Sequence, residues 1–320
     1  MKRKIFIIEE YEKEREREVR SLLKGLLQEE EVNLLIRMKY ERKSLSKESL
    51  ESMAEVLRAL GKEKEFIVDL ELVTDQWNLV RKNRKILNQY SIRVELKVCN
   101  EKELKQIDRY KEKLLLEKIC IVSEDYPSFL KLYEKWKKIK IPIRSEYELT
   151  IEEYLEFFQY WIRDREAVWY APFEDLLISL LTGNPSNDCA HNSCMGKYLY
   201  LDEEHQVYFC AQKDPCTKMY RQSSGNIENL YNDAYDRYLK CAVEKRNACL
   251  KECDAYSLCK GGCVLKEKNA QYCTEFAQKV SCAAQFLEHE MKSAFVNVEN
   301  VCIRQLYLSL IAYGFRYTES

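Results

Sequence analysis

The stretch Val32-Asn33-Leu34-Leu35-Ile36-Arg37-Met38 decides the fold class, because it is a short, mostly apolar run of the kind that forms a buried strand. An amphipathic run follows it, in which apolar residues from Leu50 to Leu60 fall on one helical face and Gly61 is predicted to end the helix. The same alternation of strand and helix recurs along the chain. It predicts strands whose starts are 22 to 34 residues apart, at Val32–Met38, Phe66–Leu72, Ile92–Val98, Ile119–Val122 and Ile141–Tyr147.

Repeats of this length are close to the roughly 30 residues of a βα unit, so the pattern predicts an α/β fold with a parallel sheet. Four or five units are too few to close a full barrel, and a partial (β/α) barrel is predicted instead. Two helices have recognisable starts. Pro127 lies in the first turn of one, and Thr150 and Glu153 form a capping box at the start of the other. Residues 9–31 predict a solvated helix with one apolar stripe.

Charge and glycine content exclude several classes of function. The chain has 320 residues, with 52 Lys and Arg against 53 Asp and Glu, so it has no cationic surplus for nucleic acid or for an anionic membrane. Only Gly25 and Gly61 lie in the first 180 residues, which excludes a Gly-rich nucleotide loop. The apolar run from Ile5 to Ile8 is too short for a secretion signal, and no run approaches the roughly 20 residues of a membrane span. We therefore expect a soluble, cytoplasmic protein.

The 14 cysteines are unevenly distributed along the chain. Cys99 and Cys120 are the only two before residue 189, and both are predicted to be small buried hydrophobic residues. The other 12 follow a composition change near Gly183, where residues 183–187 read as a linker. Clustered cysteines in a reducing cytosol favour metal or iron–sulfur ligation over disulfides.

Eight of the late cysteines occur in two ordered blocks. A β-hairpin is predicted between the second and third of them, from Lys197–Leu201 and Gln206–Phe209, and it would bring distant thiolates together. Gly261 and Gly262 let the backbone approach an inorganic core closely. Thiolates suit iron–sulfur clusters and zinc alike, so both remain open. The blocks are Cys189-x4-Cys194-x15-Cys210 and Cys249-x3-Cys253-x5-Cys259-x3-Cys263-x9-Cys273.

This array, together with Ser224-Gly225-Asn226-Ile227-Glu228, resembles the SPASM domain that follows the barrel of many radical S-adenosylmethionine (radical SAM) enzymes, over about residues 186–275. The resemblance implies two [4Fe–4S] clusters. It assigns Cys189, Cys194, Cys210 and Cys263 to the first cluster, and Cys249, Cys253, Cys259 and Cys273 to the second. One spacing departs from the family pattern, because three residues rather than two separate Cys249 from Cys253. Four cysteines lie outside the pattern and are predicted to be buried or idle: Cys216, Cys241, Cys282 and Cys302. His191 is predicted to shape its loop, and His205 to be a solvated residue of a turn.

The expected catalytic motif is missing from the first half of the chain. A radical SAM enzyme carries Cys-x3-Cys-x2-Cys after its first barrel strand, but the predicted strand ending at Met38 leads without a cysteine into a helix near Ser46. The next strand runs to Val73-Thr74-Asp75, where the family has a Gly-Gly-Glu motif. The first 182 residues therefore resemble a degenerate radical SAM barrel, for which we expect no S-adenosylmethionine and no catalytic residues.

The resemblance divides the chain into a barrel at 1–182, a SPASM iron–sulfur domain at 183–275 and a helical tail at 276–320 that packs back on the barrel. It implies a non-catalytic iron–sulfur companion protein in a ribosomal natural-product peptide maturation system. The partner would be a cysteine-rich precursor peptide, a radical SAM maturase, or both. Two alternatives remain: electron transfer through two clusters to a partner enzyme, and an enzyme acting at an auxiliary cluster with an open iron.

Overall fold

The structure is a computed structural model that describes residues 2–9, 11, 14, 16–26, 32–40, 46–64, 68–108, 116–183, 198–204, 206–210, 217–219, 236, 240, 256–259, 270–292 and 298–312. Its described strands are β1 (Lys2–Glu9), β2 (Val32–Tyr40), β3 (Val68–Thr74), β4 (Arg93–Val98), β5 (Leu116–Ile121), β6 (Ile143–Ser145), β7 (Tyr198–Leu201), β8 (Val207–Tyr208) and β9 (Lys218–Met219). They form one sheet in the order β6-β5-β4-β3-β2-β1-β7-β8-β9.

Strands β1 to β6 are parallel and lie side by side in chain order, while β7 pairs in parallel with the other edge of β1. β8 and β9 add two antiparallel strands beyond β7. The α/β prediction is confirmed, and all five predicted strands are present with ends shifted by a few residues. The predicted hairpin is also present, as β7 and β8.

Helices separate most of the strands. Those whose bounds are described are α1 (Glu16–Leu26), α2 (Lys47–Lys64), α3 (Trp77–Lys82), α4 (Arg84–Gln89), α5 (Glu101–Asp108), α6 (Tyr126–Trp136), α7 (Ile151–Arg163), α8 (Ala171–Thr182), α9 (Tyr256–Cys259), α10 (Ala270–Lys292) and α11 (Val301–Ala312). A 3-10 turn, Lys137–Ile139, follows α6. No described helix is long and apolar enough to cross a membrane.

The sequence analysis missed β1, which lies near the middle of the sheet. Lys2, Arg3 and Lys4 make the start of this strand basic, which hid its apolar second half. Phe6 and Ile8 are fully buried because strands pair along both edges of β1. The first βα unit therefore begins at residue 2 rather than 32, and the loop after the first strand comes before α1.

Capping decides where several helices begin. In the capping box of α7, the Glu153 amide donates to Thr150 Oγ1 at 3.3 Å and the Thr150 amide donates to Glu153 Oε2 at 2.9 Å. Asp125 caps α6 by accepting a 2.7 Å hydrogen bond from the Ser128 amide. The predicted stop at Gly61 is wrong, since α2 continues to Lys64. A glycine ends a helix when it takes a left-handed conformation, and the lysines and glutamate after Gly61 favour helix.

One large hydrophobic core lies between the sheet and the helices. Alternate strand residues such as Ile36, Leu72 and Leu96 belong to it, together with helix residues such as Phe157 and Trp161. Because successive strand side chains point to opposite faces, the other half of each strand faces away from this core.

The C-terminal helices pack on the barrel portion, as predicted. The Phe286 ring on α10 lies edge-on to Phe158 on α7, with ring centroids 6.2 Å apart. Fully buried Asn300 ties the start of α11 to the end of α7. Its side-chain oxygen accepts from the Cys302 amide at 2.9 Å, and its Nδ2 donates to the Trp161 carbonyl at 2.6 Å.

We expect Asn300→Ala to lower the free energy of unfolding by about 2 to 3 kcal/mol, because it removes a helix cap and leaves a buried carbonyl without its donor. Urea denaturation of the full chain measures this loss. Exposed Asn78 on α3 provides a matched control, since Asn78→Ala should change stability by less than about 0.5 kcal/mol. Equal losses from the two variants would contradict the proposed role of Asn300.

Candidate functional site on the charged face of the sheet

The face of the sheet turned away from the helix core carries most of the charged strand residues. Register places Arg37 of β2, Glu71 of β3 and Arg93 of β4 in one row across the sheet. We call this surface the charged face. Its charged members among the strand residues with described side chains, with the cysteine that lies among them, are Glu9, Arg37, Lys39, Glu71, Arg93, Glu95, Lys97, Lys118, Cys120, Arg144 and Lys218.

Arg37 and Glu71 form the first buried pair of the charged face. The guanidinium donates to Glu71 Oε2 through Nε at 2.9 Å. The carboxylate side chain is only 4% exposed, whereas that of Arg37 is 29% exposed. The Glu71 carboxylate thus lies against the sheet, and the Arg37 guanidinium covers it.

Glu95 and Arg144 repeat this arrangement at the other end of the sheet. Arg144 Nε and a terminal nitrogen both contact Glu95 Oε1, and the two side chains are 32% and 3% exposed for Arg144 and Glu95 respectively. Burial alone would lower the pKa of Arg144, but the charge and hydrogen bond of Glu95, together with Cys120 and Glu146, outweigh burial and the pKa is raised. The guanidinium stays charged.

The third pair has the opposite exposure. Lys97 Nζ lies 2.6 Å from Glu146 Oε1, and here the lysine is 12% and the glutamate 37% exposed. At the β7 side of the sheet, Lys39 lies over the Tyr200 ring, 5.7 Å from its centroid, and the Tyr200 hydroxyl donates to Glu9. A small apolar cluster of Ile7, Leu35 and Tyr200 completes this end.

The two early cysteines differ in their surroundings. Cys120 is fully buried between Lys97 and Arg144 in the register, and burial raises the pKa of its thiol to about 12. The prediction of a small buried residue is confirmed for Cys120 and wrong for Cys99, which is exposed after the end of β4. Partial burial of the Cys99 sulfur raises the pKa of that thiol too, and the charge of Glu103 is the next largest cause. Neither environment favours the thiolate form that a metal needs.

The carboxyl ends of β1, β2 and β3 are linked by hydroxyl groups. The Tyr40 hydroxyl donates to the carbonyl of Tyr11, and Thr74 Oγ1 donates to the carbonyl of Tyr40 at 2.7 Å. The hydroxyls of Tyr11 and Ser52 are hydrogen-bonded at 3.0 Å. Side chains of the protein itself therefore satisfy these polar groups.

This edge does not fit the three-cysteine cluster that a radical SAM fold would carry there. The loops that follow β1 and β2, at residues 10–15 and 41–45, contain neither cysteine nor histidine. The acidic, basic and hydroxyl groups of these loops are poor donors for iron–sulfur cores, which take thiolates. With β1 as the first strand, the expected motif would follow Glu9 rather than the end of β2, and it is missing from the sequence at both places, since Cys99 is the first cysteine.

Three of the eight predicted cluster ligands lie in the described chain. Cys210 follows β8 and is half-buried, Cys259 ends α9 and is half-buried, and Cys273 is exposed on α10. No three His, Cys, Asp or Glu side chains converge on a metal-sized site among the described residues. The predicted assignment puts Cys210 in one cluster and the other two in the second, so it requires no such triple here. Outside the described residues lie Cys189, Cys194, Cys249, Cys253 and Cys263.

Two of the cysteines outside the ligand pattern are described. Cys302 is buried, with its thiol 3.3 Å from the Ala167 carbonyl, and burial raises its pKa to about 12. Cys282 is half-buried and accepts a 3.5 Å contact from the Gln159 amide. Both are structural thiols, as predicted. Cys216, Cys241, His191 and His205 lie outside the described residues.

The charged face was missed in the sequence analysis, although the strands carry a signal for it. Val94-Glu95-Leu96-Lys97-Val98 alternates apolar and charged residues, and Leu70-Glu71-Leu72 does the same. Parallel strands covered by helices on both faces are nearly continuous apolar runs. Alternation in predicted parallel strands therefore indicates one face without a helix layer.

Comparisons with known proteins support the fold. No family model matches the chain, and no curated protein matches it. Among solved structures, hexahistidine-tagged anSMEcpe with bound AdoMet superposes with a TM-score of 0.70 at 18% identity, over 90% of this chain and 98% of that chain. Native anSMEcpe with bound AdoMet and Cp18Cys peptide gives 0.71 at 17% identity, over 91% and 99%. The form with Kp18Cys peptide gives 0.69 at 18%, over 91% and 99%. The chain thus has a mixed α/β fold that matches the fold of a radical SAM enzyme.

Removing the arginine of a buried pair should be costly. We expect Arg144→Met to lower the free energy of unfolding by about 3 kcal/mol, because Glu95 keeps a buried charge without its partner. The double variant Arg144→Met/Glu95→Leu should regain most of this loss, as measured by denaturant unfolding. Arg165→Met is the control, since its pair with Glu299 is exposed and should contribute less than about 1 kcal/mol. Equal effects at Arg144 and Arg165 would argue against a buried charge pair.

Proposed function

We propose that this protein is a non-catalytic member of a peptide maturation system, with the fold of a radical SAM enzyme but without its reductive cleavage of S-adenosylmethionine. The observation that carries the proposal is the carboxyl edge of β1 to β3. Tyrosine and threonine hydroxyls satisfy its backbone carbonyls, and the loops that follow β1 and β2 contain no thiol. The similar anSME is a radical SAM/SPASM peptide-modifying enzyme, which supports a related role for this chain.

A peptide is the proposed partner, alone or together with a radical SAM maturase. The anSMEcpe structures hold Cp18Cys and Kp18Cys peptides and superpose over most of the chain. The charged face offers a surface for such a partner, since its arginines Arg37 and Arg144 are about one third exposed. A precursor peptide rich in cysteine is the specific form of this proposal.

The second half of the chain is proposed to hold two [4Fe–4S] clusters in a SPASM domain at 183–275, after a partial barrel at 1–182 and before a helical tail at 276–320. The support is the order of the eight cysteines, since soft thiolates are the ligands of such clusters. Zinc bound by four thiolates is the alternative. When bound, the clusters would supply electron transfer. Thiolate ligands of this kind also favour the reducing cytoplasm.

Electron relay to a partner enzyme is the second candidate function, and full cysteine ligation of both clusters favours it. The two roles are compatible. Loss of the partner's turnover in a Cys259 variant that still binds peptide would favour relay. Loss of binding and fold together would favour a structural role for the clusters. An enzyme acting at an auxiliary cluster needs an open iron, which only an unligated position such as Cys249 would leave.

We expect no 5′-deoxyadenosine from this protein. The full chain is purified anaerobically, reconstituted with iron and sulfide, reduced with dithionite and incubated with S-adenosylmethionine. Chromatography then measures 5′-deoxyadenosine and methionine, and a radical SAM enzyme assayed in parallel shows that the reagents are active. Product above the protein-free blank would overturn the non-catalytic proposal.

Iron and sulfide analysis tests the proposed clusters. We expect about eight iron and eight sulfide per chain, as two [4Fe–4S] clusters require. Cys259→Ser should lower both counts by about half, since one cluster loses a ligand. Cys282→Ser is the matched control and should leave the counts unchanged, because Cys282 lies in a helix contact with Gln159. One or two zinc ions and no iron in the wild-type chain would contradict the cluster assignment.

A further inference from the structure

We propose that the charged face binds an acidic peptide segment, whose carboxylates take hydrogen bonds from the guanidinium groups of Arg37 and Arg144. This inference rests on the peptide partner of the proposed function and adds the chemistry by which that peptide is recognised.

In both arginine pairs, the carboxylate lies deeper in the protein than the guanidinium. At both arginine pairs the carboxylate is almost fully buried, at 4% exposure for Glu71 and 3% for Glu95, while the guanidinium above it is about one third exposed. A guanidinium has five N–H donors, and the buried glutamate uses only part of them. The donors that remain suit a carboxylate from outside, since arginine pairs with carboxylates through forked hydrogen bonds.

The charged face also carries a surplus of positive charge. Its described side chains include seven cations, and four carboxylates if Glu146 beside Lys97 is counted. The chain as a whole has a formal charge of −1, so this surplus is local. A surface with a surplus of one sign of charge above a low-dielectric core attracts ligands of the opposite charge.

The separation of Arg37 and Arg144 across the sheet also favours a peptide. Arg37 lies in β2 and Arg144 in β6, four strands apart in the sheet. Measured along the sheet at about 4.8 Å between strands, the two strands are roughly 19 Å apart, a length that an extended peptide spans with about six residues. A peptide with several acidic side chains can therefore contact both arginines. The surplus of three charges is small for a nucleic acid, whose binding depends on neutralising many phosphates.

Fluorescence anisotropy with labelled octapeptides tests this proposal on the full-length chain. The probes are oligoglutamate, oligoglutamine and oligolysine of equal length, with a single-stranded oligonucleotide as the competing polyanion. We expect oligoglutamate to bind at least about tenfold more tightly than the other two peptides. Its affinity should fall as salt is raised, because the charged side chains that bind it are part-exposed.

The test variant is Lys39→Gln/Lys118→Gln, which lowers the charge of the face by two and leaves both arginine pairs intact. We expect oligoglutamate affinity to fall about tenfold. Arg17→Gln/Arg81→Gln is the matched control, because these exposed arginines lie on α1 and α3 outside the charged face. It should change the affinity by less than about twofold. Circular dichroism melting checks that the variants fold.

The proposal is overturned if oligoglutamate binds no better than oligoglutamine, a comparison that needs only the wild-type chain. Equal losses from the test and control variants would also overturn it, as would tighter binding of the oligonucleotide through the same lysines. Should the test variant fail to fold, Arg37→Lys/Arg144→Lys keeps both charges but removes the forked donors, and unchanged affinity there would contradict the arginine contacts. Failure of these tests with no cleavage of S-adenosylmethionine leaves the non-catalytic role intact. Cleavage would end that role whichever peptide binds.

Discussion

The pairing of β1 along both of its edges is the interaction on which the rest of the sheet depends. On one side Lys2 to Glu9 pair with β2 in an unbroken parallel ladder, and on the other Ile5 to Ile8 pair with β7. The strand nearest the N-terminus thus joins the six parallel strands of the first half to the hairpin from the cysteine-rich half. Because strands so distant in sequence are slow to pair, we infer that β1 pairs with β7 after it has paired with β2.

The charged face follows from the alternation of side chains in these strands. One set of residues must pack under the helices, so the other set is left on a face where charges can reach solvent. Glu71 is neutralised by Arg37 on the adjacent strand, whereas Glu95 on β4 is neutralised by Arg144 on β6. Arg144 reaches across β5, and the residue opposite it there is Cys120, whose short side chain leaves room for the guanidinium. A small thiol and a long base are therefore parts of one packing arrangement.

Local patterns predicted what depends on local physics. The capping box of Thr150 and Glu153 and the strand from Arg93 to Val98 could be found in the sequence, because each needs only its own residues. The strand β1 was not recognised, since three basic residues precede its short apolar run and its place in the sheet depends on pairing with β2 and β7. The charged face had a visible alternation, but the partnership of Arg37 with Glu71 needs a register that no single strand contains. The order of the eight cysteines likewise predicts which residues are ligands, but the order alone does not say which of them share a cluster.

The carboxyl edge and the charged face are the two parts of the structure on which the proposed non-catalytic role rests. At the edge, Tyr40 and Thr74 use their hydroxyls on neighbouring backbone carbonyls, so groups that would otherwise await a ligand are already satisfied. Tyr11, which follows β1, is itself buried and hydrogen-bonded to both Tyr40 and Ser52. The guanidinium groups of Arg37 and Arg144 on the charged face are about one third exposed, and binding through this face needs no change at the carboxyl edge.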